Sequence, residues 1–212
     1  MKELKITELF DLEKTIAADI FAGKEYPWEA LPEIGDFIIK LGSSLSEEEY
    51  ERRGDNVFVA KSAKIAPTAY IAGPAIICSD AEIRHCAFIR GSAIVGKNCV
   101  VGNSTEIKNS ILFDGVQVPH FNYVGDSVLG YKAHFGAGVI TANVRSDKAN
   151  VCENFRKLGA IVGDYAEIGC NSVLCPGSIV GRQCIVYPLS LVRGEVPENS
   201  IYKSKDDIAR RQ

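Results

Sequence analysis

The stretch VAKSAKIAPTAYIAGPAIICSDAEIRHCAFIRGSAIVGKNCVVGNSTEI, Val59 to Ile107, decides the fold. Within it Val59, Ile65, Ile71, Ile77, Ile83, Ile89, Val95, Val101 and Ile107 recur at every sixth position, and none is missed. Two positions before each, from Ile65 on, stands a smaller residue: Ala63, Ala69, Ala75, Ala81, Ala87, Ala93, Cys99 and Thr105. A period of six matches neither the 3.6 residues of an amphipathic helix nor the plain alternation of a strand. It matches short flat strands joined by tight corners, with three hexads closing a coil of about 18 residues. The prediction is a mainly β chain folded as a parallel β-helix, whose core exists only because coils stack. The column returns in phase at Val162, Ile168, Leu174, Val180, Val186 and Val192. Gly163, Gly169 and Gly181 follow it, where corners are expected to need permissive backbone.

Between the two runs the register slips. Leu112, Val118 and Val124 are followed by Leu129 after only five residues, and then by Phe135. Residues 144–158 match no hexad and are expected to leave the coil as a loop. A polar excursion of this length in a compact repeat is commonly functional. The repeat domain is thus placed at 57–200.

Residues 1–56 have a different texture. Leu9, Phe10, Leu12, Ile16, Ala17 and Ile20 lie at helical spacing, and a second short helix is expected around Trp28–Leu41, interrupted near Pro32. The stripe Trp28, Leu31, Ile34 and Phe37 reads as core. The segment is expected to form a helical cap over the first coil, whose open backbone would otherwise face solvent. Residues 201–212 form a tail, expected as a short helix or an arm reaching a neighbouring subunit.

Composition narrows the function classes. The 212 residues are 46% hydrophobic, enough for a sizeable core, and the formal net charge of −3 argues against a nucleic-acid surface. No apolar run long enough to span a membrane is present. The N-terminal Met-Lys-Glu-Leu-Lys-Ile-Thr-Glu carries acids where a signal peptide has its apolar core, which leads to the expectation of a cytoplasmic protein. Seven cysteines with no CxxC pair read as reduced structural thiols, Cys99 and Cys184 at small inward positions.

Long basic residues on a β-helix wall are ordinarily solvated, so Arg90 and Lys108 say little alone. With Pro119-His120, Tyr123-Val-Gly-Asp126, Gly136-Ala-Gly138 and Ile140-Thr-Ala-Asn143 they say more. The hexad repeat resembles the hexapeptide-repeat acyltransferases, which fold as left-handed parallel β-helices and assemble as trimers. Residues 57–199 resemble the acetyltransferase domain of the bifunctional glucosamine-1-phosphate acetyltransferase and N-acetylglucosamine-1-phosphate uridylyltransferase. The loop followed by Arg156-Lys-Leu-Gly-Ala-Ile-Val-Gly-Asp164 looks more like the variant attached to sugar-1-phosphate nucleotidylyltransferases.

The resemblance implies acetyl transfer from acetyl-CoA to the amine of an amino-sugar phosphate by a homotrimer, without a metal. It makes His120 the general base and has Arg90 and Lys108 hold the sugar phosphate. Tyr123 and Asn143 would position the sugar, and Ala137 with Cys170 would line the coenzyme A groove. Two positions depart from the family pattern. His134 stands where an asparagine touches the sugar or acetyl group, and Val144 replaces a tyrosine. No glycine-rich nucleotide-binding motif precedes the repeat and 56 residues cannot hold that domain, so uridylyl transfer is not expected of these residues. Two other classes stay in view. One is a non-catalytic β-helix scaffold or regulatory subunit of a sugar-nucleotide pathway. The other is a γ-carbonic anhydrase type of zinc lyase, which would need His85, His120 and His134 together, at spacings unlike that family's.

The chemistry suits these groups. An amine attacks a thioester only as the free base, and imidazole, with an ordinary pKa of about 6.5, is suited to taking its proton. The oxyanion of the tetrahedral intermediate needs an N–H donor, expected near Ala142–Asn143. Arg90 and Lys108, one coil apart, are expected to stack about 4.8 Å from each other as a phosphate clamp.

Overall fold

A computed structural model of the chain describes residues 5–152 and 154–211. From Val57 on, short strands stack in parallel and form three ladders. The first face begins with Val57–Ala60, Ala75–Ile77 and Ala93–Val95, and the second with Lys64–Ile65, Glu82–Ile83 and Val100–Asn103. The third begins with Tyr70–Ile71 and Phe88–Ile89. The chain visits the three in turn and arrives one coil further along, so that Val57, Ala75 and Ala93 are register partners. The six-residue period is therefore a parallel β-helix, and its inward column from Ile77 to Ile107 is buried.

Corners are built differently from the expectation. The left-handed residues there are Asp80, Cys86, Asn98, Ser104, Tyr165, Asn171 and Gln183, with φ between 54° and 60°. Gly163, Gly169 and Gly181 stand two residues earlier and do not have that backbone. A Cβ on each would lie 2.8, 2.4 and 2.5 Å from backbone nitrogen of the neighbouring coil. Close stacking of coils, not freedom of φ, demands glycine at these positions.

Of the described N-terminal residues, a short strand before Val57 covers the open end of the first coil, but the helical part does not sit there as expected. On the first face the residues that alternate outward, Phe58, Ile76, Ile94, Ile111, Val128, Ile161 and Ile179, are as buried as those pointing in. The N-terminal segment covers them as a strap running the length of the face. The helix Ile34–Gly42 packs on Ala75–Ile77, Ala93–Val95 and Glu106–Leu112, and a Cβ at Gly42 would sit 2.1 Å from the Phe58 ring. Further along the face Phe10 and Phe21 stack on Phe113, with centroids 5.0 and 5.9 Å apart. Beyond them the Asp164 carboxylate accepts the N–H groups of Asp11 and Tyr131, each at 2.8 Å. A seam of these seven apolar residues exposed on an open sheet would cost on the order of 10 kcal/mol, which is why the strap lies along it.

Following this seam, the strap is less helical than its spacing predicts. It forms one α-turn, Ile6–Leu9, and 3₁₀ pieces Leu12–Lys14 and Ala18–Phe21. The second helix keeps its expected break: 3₁₀ over Pro27–Glu33, then α over Ile34–Gly42. Of the apolar stripe, Leu31 and Ile34 are buried and Trp28 and Phe37 pack against the core.

Both open ends carry antiparallel strands. Tyr50–Arg52 pairs with Val57–Ala60, and Asp207–Arg210 folds back on Ser200–Ser204. The tail is thus a hairpin strand, not a helix or an arm. It satisfies backbone that would otherwise be left unpaired at the last coil. None of the seven cysteines forms a disulfide, and Cys99 and Cys184 point inward, donating to the carbonyls of Phe113 and Pro197 at 3.0 and 2.8 Å. No helix among the described residues is long and apolar enough to cross a membrane.

Candidate active site

The three edges of the β-helix are not equivalent. At the edge from second to third face the inward column advances six residues in each of seven coils, as in Val101 to Ile107, Val118 to Val124 and Phe135 to Thr141. At the edge from third to first face it does not. The step is five from Ile107 to Leu112 and again from Val124 to Leu129, and Thr141 is followed by the 144–158 excursion before the column resumes at Val162. It is four from Val192 to Val196. Every slip in the repeat falls on one edge. With a residue missing, Glu106–Leu112 and Tyr123–Leu129 run through the corner without a break, and Asn109 and Asp126 take left-handed backbone there, φ 47° and 50°.

Asp126 is the centre of this edge. Its side chain is 5% exposed and ion-paired with Lys108, whose Nζ lies 3.0 and 3.2 Å from the two carboxylate oxygens. Asn109 Nδ2 donates to it at 2.9 Å and Asn143 Nδ2 at 2.5 Å. Asn143 also donates to the Tyr123 hydroxyl at 3.2 Å. Burial, then the Asp126 charge, pushes the Tyr123 phenol above its ordinary value, so Tyr123 stays neutral and keeps its proton to donate. The loop is tied to the same place: Gly159 N–H donates to the Asp126 carbonyl at 2.8 Å and Leu158 N–H to that of Asn143 at 3.1 Å. Lys108, Tyr123 and Asn143 therefore converge, through an aspartate and Asn109 that the motif alone did not single out. The signal for both was present, since each occupies the corner position where a hexad is one residue short.

Arg90 lies one coil below Lys108, as Ile89 and Ile107 are partners. Its guanidinium holds Glu106 at 2.7 Å and is raised further above its ordinary range by that contact. The two residues occupy successive coils, and each cation is matched by a carboxylate, so the four groups sum to zero charge. A phosphate would bind by exchange against Glu106 or Asp126, not by occupying free cations.

His120 stands elsewhere, at the end of Gln117–His120 on the regular edge, exposed. Asn122 Oδ1 accepts its backbone N–H at 3.1 Å, and Gly138 N–H donates to its carbonyl at 3.0 Å. Ala137 and Cys170 continue the same edge in the next two coils, Asn171 N–H donating to Ala137 at 2.8 Å. Between this edge and the Lys108–Asn143 cluster lies the outer surface of the third face, about 10 Å of strand. Tyr123 begins there and reaches Asn143 at its far side. His134 belongs to neither edge of this surface: it projects from the second face, with Nδ1 2.7 Å from Glu167 Oε2. The Ala142 N–H is spent on the Leu174 carbonyl at 2.9 Å, which leaves Asn143 as the backbone donor of that turn. Among the described residues no three His, Cys, Asp or Glu side chains converge as a metal site would require.

Comparison with known proteins agrees with the motif reading. Residues 71–156 match the family model described as the GMPPB C-terminal domain. The bifunctional protein GlmU of Methanococcus maripaludis is 38% identical over 194 residues, covering 86% of this chain and 47% of that protein. The bifunctional sugar-1-phosphate nucleotidylyltransferase/acetyltransferase of Sulfurisphaera tokodaii is 36% identical over 107 residues, 46% of this chain and 27% of the relative. Among solved structures, a hexapeptide transferase family protein from Anaplasma phagocytophilum superposes on 74% of this chain and 80% of its own, at a TM-score of 0.51 and 19% identity. The chain spans about half or less of the length of the curated relatives it matches. It carries the same parallel β-helix fold as that structure, and in sequence it resembles the bifunctional sugar-1-phosphate nucleotidylyltransferase/acetyltransferase proteins.

Proposed function

We propose that the chain transfers an acetyl group from acetyl-CoA to the amine of an amino-sugar phosphate such as glucosamine-1-phosphate. The observation that carries this reading is the Lys108–Asp126–Asn143–Tyr123 network, which joins side chains that the family resemblance links to sugar and phosphate, at the edge where the repeat breaks its own period. His120 is the general base, taking the ammonium proton so that nitrogen can attack the thioester carbonyl. The Asn143 N–H meets the oxyanion, and collapse of the intermediate expels the coenzyme A thiolate. Coenzyme A lies along the regular edge past Ala137 and Cys170, which keeps the thioester on the His120 side and the sugar phosphate on the Lys108 side.

The protein acts as a homotrimer in the cytoplasm. Supporting the trimer, Tyr70, Phe88, Ile140 and Leu191 stand exposed in one column on the third face, with Phe121 and Leu189 beside them on the regular edge. A second copy packed there would dry the surface between the two edges and would give His134 a place beside the acceptor. Sedimentation analysis reads the trimer directly, and a monomer at micromolar concentration would remove it.

Thiol release from acetyl-CoA tests the reaction, with glucosamine-1-phosphate, galactosamine-1-phosphate or glucosamine as acceptor. Release is expected only with a phosphorylated acceptor, and His120→Ala is expected to lower it by about 10² to 10⁴ with unchanged thermal stability, because His120 is exposed. No thiol release with any acceptor, together with no binding of coenzyme A, would leave a non-catalytic scaffold as the reading.

A further inference from the structure

The residue that follows the inward column of the third face also stacks coil upon coil. Along the β-helix it reads Ala72, Arg90, Lys108, Gly125, Ala142, Cys175 and Arg193. The column carries two cations low down and one at its upper end, with small residues between them. Its two lower cations are neutralised by Glu106 and Asp126, but the upper one is not: among the described residues no carboxylate lies within ion-pair distance of Arg193.

Arg193 lines a groove of about 510 Å³ between the 144–158 loop and the upper coils, with Ala142 and Val144 at its lower end. Arg145 and Ser146 are on its loop side. The carboxylate in the lining, Asp147, is held by Arg145 through Nε at 3.0 Å and a second bond at 2.5 Å. That pairing, backed by the Ala149 N–H, holds the Asp147 carboxyl down at about 2, so it is ionised at neutral pH and is spoken for. Among the described lining residues the charges therefore sum to +1, beside a cluster whose own cations cancel.

We propose that this groove is an anion subsite that takes the phosphates of a nucleotide, separate from the Arg90–Lys108 pair. Four coils separate Lys108 from Arg193, about 19 Å at the strand spacing, so one phosphate cannot bridge them. A ligand that meets both has an extended, multiply charged tail. The exposed Arg193 guanidinium, in one groove with the Ser146 hydroxyl, suits phosphate oxygens, which arginine binds in a fork. Two molecules have such a tail: coenzyme A, the donor of the reaction proposed above, with its phosphorylated adenosine, and an acceptor whose amino sugar is carried on a nucleoside diphosphate in place of a single phosphate. The subsite rests on that reaction only for the choice between them.

Calorimetry with UDP and with adenosine 3′,5′-bisphosphate, at low and at raised salt, reads the subsite without turnover. One of the two is expected to bind, more weakly as salt rises, and Arg193→Ala is expected to lose at least about tenfold in affinity. Lys108→Met is expected to leave that binding within about twofold. Loss of UDP binding assigns the tail to the acceptor, and loss of the bisphosphate assigns it to coenzyme A. If the unmodified protein binds neither nucleotide, or if Arg193→Ala binds them as tightly as before, the subsite does not exist. Because Arg193 is exposed, its removal should not disturb the fold, and an unchanged unfolding temperature confirms that any loss is local. A protein that binds nucleotide but releases no thiol would overturn the proposed reaction and keep the subsite.

Discussion

Two edges of the same β-helix carry the two halves of the candidate site, and they are held by opposite means. The edge bearing His120, Ala137 and Cys170 keeps its six-residue step throughout and is fixed by backbone fit. At Gly102 a Cβ would fall 1.5 Å from the Pro119 carbonyl oxygen, and at Gly169 2.4 Å from a neighbouring nitrogen. The edge bearing Lys108, Asp126 and Asn143 loses or gains residues in four coils, and side chains close the gap. Backbone that cannot vary gives a straight rail for a long ligand. A corner that can lose a residue brings an asparagine and an aspartate into left-handed backbone, where their short side chains reach each other.

The contrast breaks most visibly at Asp126. Asp126→Ala leaves the Lys108 ammonium without its anion and frees Asn109 and Asn143 together. Removing one partner of a buried pair costs about 3–5 kcal/mol, and Lys108, 26% exposed, can recover some solvation, so about 3 kcal/mol is expected from chemical denaturation. Acceptor KM should rise with it, since Asn143 and Tyr123 lose their anchor. A loss under about 1 kcal/mol would mean that the irregular edge is held by backbone after all.

A pair of glycine substitutions sharpens the same point at smaller cost. Gly102→Ala on the regular edge drives a methyl into a carbonyl that cannot move, and about 2–3 kcal/mol of stability should be lost. At the irregular edge, the atom nearest a Cβ on Gly125 is the Tyr123 hydroxyl, 2.4 Å away at the tip of a side chain that can swing aside. Gly125→Ala is expected to cost under about 1 kcal/mol and to act mainly on acceptor KM, by pulling Tyr123 off Asn143. Equal destabilisation by the two would erase the distinction between the edges.

How far the sequence reaches follows the same division. The inward columns were legible because a period of six repeats at every corner, and Val59 to Ile107 reports it in eight successive steps. The outward column Phe58, Ile76, Ile94, Ile111, Val128, Ile161 and Ile179 was not, because it repeats only once per coil and lies next to the stronger signal. That column decides where residues 5–45 go. The helical spacing of Leu9 to Ile20 was real, but the seam the strap follows selected short 3₁₀ pieces over a continuous helix. Of the site, the motif matches pointed to Lys108, Tyr123 and Asn143, which the structure brings together around Asp126. They could not show that Lys108 and Arg90 arrive already paired, or that His134 faces away on the second face, since both depend on which wall each residue leaves.

The strap provides the smallest effect and one with an unusual sign. Burial raises the Asp164 carboxyl above its ordinary 3.8, outweighing the N–H donors of Asp11 and Tyr131 and the nearby Arg182, and burial raises Asp114 likewise, against the Lys97 N–H. A carboxyl whose folded pKa is raised binds its proton more tightly folded than unfolded. Its contribution to stability is therefore greatest below the ordinary value and is lost as pH rises through the window between 3.8 and the raised value. Most salt-bridged carboxylates act in the opposite sense, so this term flattens the acid limb of the stability curve. Asp164→Asn removes it, and unfolding temperatures from about pH 4 to about pH 7 should then climb more steeply with pH than in the unmodified protein. Parallel curves would mean that Asp164 titrates at its ordinary value, and that the hydrogen bonds from Asp11 and Tyr131 compensate its burial in full. The sign of that slope decides whether the strap is clamped to the first face by a carboxylate or holds on in spite of one.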